Sequence, residues 1–212
     1  YTATGTATST FAWTRATIAG ITEPGLSGVG ANISETAGLT NTTADPITVI
    51  YNITITNSTT GCSNSQDVSI IIYPTPKLTP ATSQFARCSG DAFTYNAASS
   101  TAGATFAWTR ALVANVINAA GSGSNGVINE ILTSTSTAPV DVTYIITTSA
   151  NGCDNPQNII VTVNPIPKLS STKTPAAICS GTSFDYTSIS ATAGTTFSWS
   201  RVTVPGITSN AQ

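Results

Sequence analysis

A chain of 212 residues with 7 basic and 9 acidic side chains, a net charge of -2 and no histidine lacks the positive field that nucleic acid or an anionic membrane surface attracts. It also lacks the commonest proton shuttle and metal ligand of enzymes. Charged residues make up 8% and hydrophobic residues 40%, which excludes disorder, since disorder needs high charge with little apolar surface, and no apolar run approaches the roughly 18 residues of a membrane span.

Residues 1–10 read as the tail of a strand and a Thr-rich loop. Phe11-Ala-Trp13-Thr-Arg15 follows, and it recurs as Phe106-Ala-Trp108-Thr-Arg110 and Phe197-Ser-Trp199-Ser-Arg201, so the three tryptophans are one position in three copies. Residues i, i+2 and i+4 of an extended strand share a face. The motif therefore predicts a sandwich strand with a buried aromatic pair. Cys62 to Cys153, Cys88 to Cys179, Pro74 to Pro165 and Trp108 to Trp199 are each 91 residues apart, whereas Trp13 to Trp108 is 95. The excess falls near Ala37-Gly38 and in Asn57-Ser-Thr-Thr-Gly61, both of which read as loops, where insertions are tolerated.

Residues 16–31 are Gly/Pro/Ser-rich and loop-like. From Pro46 the period becomes two, with Val49, Tyr51, Ile53 and Ile55 on one face, and Val142, Tyr144 and Ile146 repeat that set. A further alternating strand carries Val68, Ile70 and Ile72, repeated in the next copy as Ile159, Val161 and Val163. Short alternating strands with turn signals between them predict an all-β fold of tandem Ig-like, antiparallel β-sandwiches. The links Tyr73-Pro-Thr-Pro-Lys-Leu78 and Asn164-Pro-Ile-Pro-Lys-Leu169 should be short and semi-rigid, because Pro-x-Pro fixes two φ angles, and the sandwiches are expected to stack end to end. Cys88-Ser-Gly and Cys179-Ser-Gly then lead to strands with Phe93 and Tyr95, or Phe184 and Tyr186, facing inward. In Ig order these are strand B, the Trp strand is C, the Tyr144 strand F and the Ile159 strand G. The periodicity predicts a complete repeat at 76–165 between partial repeats at 1–75, without its N-terminal strands, and 166–212, without its C-terminal ones. The chain is thus expected to be a window on a longer array.

Cys-Ser-Gly, Phe-x-Tyr, Thr-Ala-Gly-x-Thr-Phe-x-Trp-[Thr/Ser]-Arg, Asn-Gly-Cys and Val-Thr-Val-Asn-Pro-x-Pro together resemble the PKD-like, Ig-like tandem repeats of giant surface proteins of gliding bacteria. The resemblance covers nearly the whole chain. It implies export by the type IX pathway, an extracellular place at the cell surface, and service as an adhesin in gliding motility. The Trp-Asp-Phe-Gly-Asp-Gly run of true PKD domains is missing, so a role tied to that acidic turn is not implied.

No catalytic constellation is legible: the nine carboxylates are scattered, the Ser and Thr residues lack a partner base, and no Gly-rich phosphate loop precedes a helix. The chain is expected to be no enzyme and to take no cofactor or metal. Trp13, Trp108 and Trp199, with Phe106, Tyr95 and Tyr144, are expected in the core; the alternative for the tryptophans is a carbohydrate-stacking platform. Tyr51 and Tyr144 read as core or as tyrosine-corner residues whose hydroxyl returns to backbone. Arg15 precedes Glu35 by 20 residues and Arg110 precedes Glu130 by 20, predicting a structural ion pair in each repeat at the sandwich edge, against the alternative of a solvated surface pair.

Two cysteines per repeat, Cys62 and Cys153 at one end and Cys88 and Cys179 at the other, read as structural disulfide chemistry. A bridge between neighbouring repeats, using cysteines beyond either end of this chain, competes with Cys88–Cys153 inside one repeat. Lys77 and Lys168 read as solvated linker lysines, with an isopeptide staple as the alternative. The sequons at Asn32, Asn41, Asn52 and Asn57 read as a by-product of Thr richness. The expected function is a stalk or filament segment of a bacterial surface adhesin, with neighbouring repeats and neighbouring filaments as partners. Two alternatives are a module that binds surface glycans through loops 16–31 and 111–126, and a self-polymerising subunit whose partial repeats are completed by neighbouring chains.

Overall fold

The computed structural model describes residues 1–5, 8–80 and 84–208. It is all-β, with no helix among the described residues. Strands β1 (Ser9–Arg15), β2 (Leu26–Val29), β3 (Ile47–Asn57) and β4 (Ser63–Ile72) form a sheet in the order β2-β1-β3-β4. A second set comprises β5 (Gln84–Cys88), β6 (Ala92–Asn96), β7 (Thr105–Arg110), β8 (Gly121–Gly123), β9 (Val127–Ile131), β10 (Val140–Ala150) and β11 (Cys153–Asn164). Five of these form a sheet in the order β5-β11-β10-β7-β8, and β6 pairs with β9 in a second layer. All pairings are antiparallel except β5 on β11, which is parallel. In Ig terms the larger sheet runs A′-G-F-C-C′ and the smaller is B–E.

The strands arise from alternation of β-branched and aromatic residues with Thr, Ser and Asn. Along β10, Val142, Tyr144, Ile146 and Thr148 are fully buried and Ile145 points outward. Asn151 and Gly152, at φ 52° and 77°, form the two-residue turn that brings Ala150 opposite Cys153. Such a turn requires positive φ at both central residues, which Asn-Gly supplies.

The two cores are separate. In the first, Trp13, Ile21, Val49, Tyr51 and Ile53 are buried together. In the middle unit Phe93 and Tyr95 from the small layer close over Trp108, Tyr144, Val161 and Val163 from the large one. The Phe93 and Tyr144 ring centroids lie 5.7 Å apart, as do those of Trp108 and Tyr144.

Residues 165–208 depart from expectation. They carry one isolated bridge, Leu169 to Ser190, and no strand; Trp199 is 72% exposed, and Phe184, Phe197 and Tyr186 are also open to solvent. The core assignment of Trp199 is therefore corrected. No described residue stands where β9, β10 and β11 stand in the middle unit, and a strand with no ladder to join and no opposing face to cover has little to hold it.

Candidate functional site

The chemically distinctive feature of each folded unit is a buried charge cluster. Arg110 ends β7 and lies directly across from Tyr144 of β10; Arg15 ends β1 and faces Tyr51 of β3 in the same way. Glu130 reaches the pair from β9, and Glu35 from the corresponding stretch of the first unit. Arg110 Nε donates to Glu130 Oε2 at 2.8 Å, Nη2 to Oε1 at 3.1 Å, and the Tyr144 hydroxyl to Oε2 at 2.5 Å. In the first unit Arg15 Nε and Nη2 reach Glu35 at 2.5 and 3.2 Å, and the Tyr51 hydroxyl donates to Oε1 at 2.8 Å. The arginines' remaining donors go to loop carbonyls, Nη2 of Arg110 to Ala119 at 2.6 Å and Nη2 of Arg15 to Pro24 at 2.7 Å. The fork geometry of guanidinium suits it to this double duty, bidentate to the carboxylate and tying down the loop that follows the Trp strand.

Both arginine side chains are 1% exposed, against 12% for Glu35 and 20% for Glu130. A surface pair of this kind contributes about 0–1 kcal/mol; a buried pair behaves differently, because either charge left alone has lost its water. The hydrogen bond from Arg15 pulls the Glu35 carboxyl below its ordinary 4.5. At Glu130 burial works to raise the carboxyl, but Arg110 and Tyr144 outweigh it, and the group also lies below 4.5. Burial, then the adjacent carboxylate, pushes the Tyr51 phenol up to about 12 and that of Tyr144 further. The tyrosine-corner reading is corrected for both residues: their hydroxyls turn to the glutamate, not to backbone. A signal was present in the sequence, since Arg15-Tyr51-Glu35 recurs as Arg110-Tyr144-Glu130, but the register that sets Arg across from Tyr is a property of strand pairing.

Trp13 and Trp108 are buried at 6% and 7% exposure, and Phe106 is half-buried against the core. The Trp108 indole donates to Val127 O at 3.0 Å, while Trp13 Nε1 has no hydrogen-bond partner among the described residues. Each ring lies over a glycine of the adjacent strand; a Cβ built on Gly123 would come within 2.4 Å of Trp108 Nε1, and one on Gly28 within 2.6 Å of the Trp13 ring. Tyr95 is buried and its hydroxyl donates to Pro80 O at 2.9 Å.

A second feature is the seat of the Pro-x-Pro link. Pro74 and Pro76 are fully buried. From β11, Asn155 donates its Nδ2 to Pro76 O and Gln157 accepts from Leu78 N, both at 2.8 Å. Lys77 is exposed beside them.

The four cysteines are free, with Cys62, Cys88 and Cys179 exposed and Cys153 half-buried. No disulfide therefore joins any two of them. Cys88 pairs with Asn164 at the far end of β11 from Cys153, and eleven strand residues at ~3.3 Å separate those ends by about 36 Å, far beyond the ~7 Å that a bridge spans. The bridge inside one repeat is excluded by this register. Of the sequon asparagines, Asn41 is buried and holds Asp45 O and Ile72 O at 2.8 Å. Asn52 bonds Asp67, and Asn57 caps its own turn. Among the described residues no cluster of His, Cys, Asp or Glu could hold a metal ion, and no helix is long and apolar enough to cross a membrane.

Strand order, the two-layer core and the Trp on strand C define an Ig-type β-sandwich for the middle unit. Residues 85–167 match the family model of the PKD-like domain. No curated protein matches the chain.

Proposed function

We propose that the chain is an extracellular structural module, a stalk or filament segment of a large bacterial surface adhesin exported by the type IX route and used in gliding. The match of residues 85–167 to the PKD-like domain supports a structural or adhesive module of this kind. The observation that carries the mechanical reading is the seated link: Asn155 and Gln157 hold the backbone of residues 76–78 while Pro74 and Pro76 are buried. A linker held in this way restricts bending between successive repeats, and repetition then converts repeat length into reach. In the middle unit the buried arginine joins strands C and E and the intervening loop, and in the first it joins strand C to the stretch that carries Glu35, so a pull along the chain loads hydrogen bonds to a charged group, which are worth about 1.5–3 kcal/mol each.

Stretching single molecules of the 212-residue polypeptide by its ends tests this. Two resolved unfolding events are expected, with Asn155→Ala plus Gln157→Ala softening the extension that precedes them. Extension without resolved unfolding steps would remove the stalk reading.

A further inference from the structure

The outer face of the middle unit's large sheet carries a shallow cleft. Ser122 of β8, Thr109 of β7 and Ile145 of β10 stand in one row across three strands, since Thr109 pairs with Ser122 on one side and Ile145 on the other. Thr143, two positions from Ile145 on the same side of β10, lines a cleft of about 490 Å³ beside that row, together with Ala111 and Ala120. The alanines are short and leave the depression. Strand geometry sets its scale, about 5 Å from one strand to the next and about 7 Å between residues i and i+2, and its volume is that of a small-molecule site.

The lining dictates what fits. Ile145 is 44% exposed, and covering it with an apolar surface is favourable. The hydroxyls of Thr109, Ser122 and Thr143 have no hydrogen-bond partner among the described residues, whereas on the same face Thr105 donates to Ser149 O and Thr162 to Asp141. A hydroxyl both donates and accepts, so these three can meet other hydroxyls in either sense. Among the lining residues only Arg110 is charged, and its guanidinium is buried and taken by Glu130 and Ala119 O. The residue across from Ile145 on β11 is the neutral Asn158. The cleft thus offers one apolar contact, a rim of hydroxyls and no available charge.

We propose that this cleft binds a neutral saccharide ring, whose C–H face lies on Ile145 while its hydroxyls exchange hydrogen bonds with Thr109, Ser122 and Thr143. An acidic sugar gains nothing there, because the one lining cation is already paired. The first unit supplies the internal comparison. Its row is Ser27, Thr14 and Asn52, and all three are exposed although a folded unit follows in the chain, so the succession of repeats leaves this face open. But Asn52 stands where Ile145 does and Ile50 where Thr143 does, which removes the apolar contact from the row and one hydroxyl from the rim. Asn52 also donates to the Asp67 carboxylate at 2.8 Å, which puts a negative charge beside the row. One saccharide site per chain is therefore expected, in the middle unit. This binding role goes beyond the structural one, and its failure would leave the result of the stretching experiment untouched.

Amide NMR spectra of the isotope-labelled 212-residue polypeptide, titrated with maltohexaose or xylohexaose to ~10 mM, read the contact in the millimolar range expected of a shallow site. Saturable shifts are expected around Thr109, Ser122, Thr143 and Ile145, and none from hexagalacturonate, an acidic oligosaccharide. Ile145→Asp changes only the solvent face of β10 and should abolish the shifts while leaving the circular dichroism unchanged. Thr143→Ala, which removes one hydrogen bond, should weaken binding by about threefold to tenfold. The proposal is overturned if neither neutral sugar moves these resonances, or if the shifts centre on the row of Ser27, Thr14 and Asn52. It is equally overturned if the Ile145→Asp variant binds undiminished or if hexagalacturonate binds as well as the neutral sugars.

Discussion

The first and middle units carry the same four strands in the same register, with Trp13 opposite Gly28 as Trp108 is opposite Gly123, and Arg15 opposite Tyr51 as Arg110 is opposite Tyr144. They differ in what covers the last strand. Ile159, Val161 and Val163 are inaccessible in the middle unit, while Ile70 is half open in the first. The arginine cluster is nonetheless complete in both. Strands A′ and B therefore seal the G-strand face, whereas strands C and F and the stretch that carries the glutamate assemble the charge cluster in both units. Residues 165–208 extend the lesson: they contain the Trp strand's sequence but no glutamate and no described strand to face it, and Trp199 stays in solvent.

The largest way to break the comparison is to remove the charge partner from the sealed unit. Glu130→Ala leaves the Arg110 guanidinium buried and unpaired and should cost the middle unit about 3–5 kcal/mol; Glu35→Ala, in the more open first unit, should cost less. Two-step chemical denaturation followed by tryptophan fluorescence reads both. Phe93→Ala uncovers the Tyr144 and Val161 face, at a cost of about 3–5 kcal/mol with the charge cluster retained. If instead the alkaline transition of Tyr144 fell to the ordinary phenol range in that variant, strand B would be needed for the cluster and the comparison would fail. Gly123→Ala and Gly28→Ala each drive a methyl group into an indole ring, and overpacking of this kind costs about 1–3 kcal/mol. The two losses should be similar, because this contact is the same in both units.

The smallest effect is the pH dependence. The glutamates' folded pKa values lie below 4.5, so the stability they contribute is full above about pH 4.5 and is lost as pH falls through the folded values. The Tyr51 phenol moves the other way, from 10 to about 12. Its contribution is full below pH 10 and disappears as pH rises toward 12. Melting temperature against pH should show a plateau between these limits; Tyr51→Phe should remove the part of the alkaline fall that Tyr51 contributes and, because its hydroxyl helps to hold Glu35 below 4.5, should also shrink the acid fall.

Much of this architecture is legible in the chain. Alternation at Val142, Tyr144 and Ile146 marks a half-buried strand, and Asn151-Gly152 marks its turn, because both follow from side-chain direction and local φ preference. The cluster was half legible. The Arg-to-Glu spacing of 20 residues points to a pair, but the partner of Tyr144 Oη and the depth of burial depend on β9 lying over β7 and β10, which no local rule provides. Trp199 was misplaced for the same reason, since the Phe-x-Trp-x-Arg pattern states which face is apolar and not whether anything covers it.

By itself the sequence determined the strands, their turns, the 91-residue repeat and the side of each strand that is apolar, because these depend on the chemistry of residues a few positions apart. Only the tertiary structure decided that Tyr144 and Tyr51 turn their hydroxyls to the glutamates, that both arginines lie buried, and that β5 pairs in parallel with β11. Those outcomes depend on which segments meet across the sheets, and burial, unlike direction, requires a second surface.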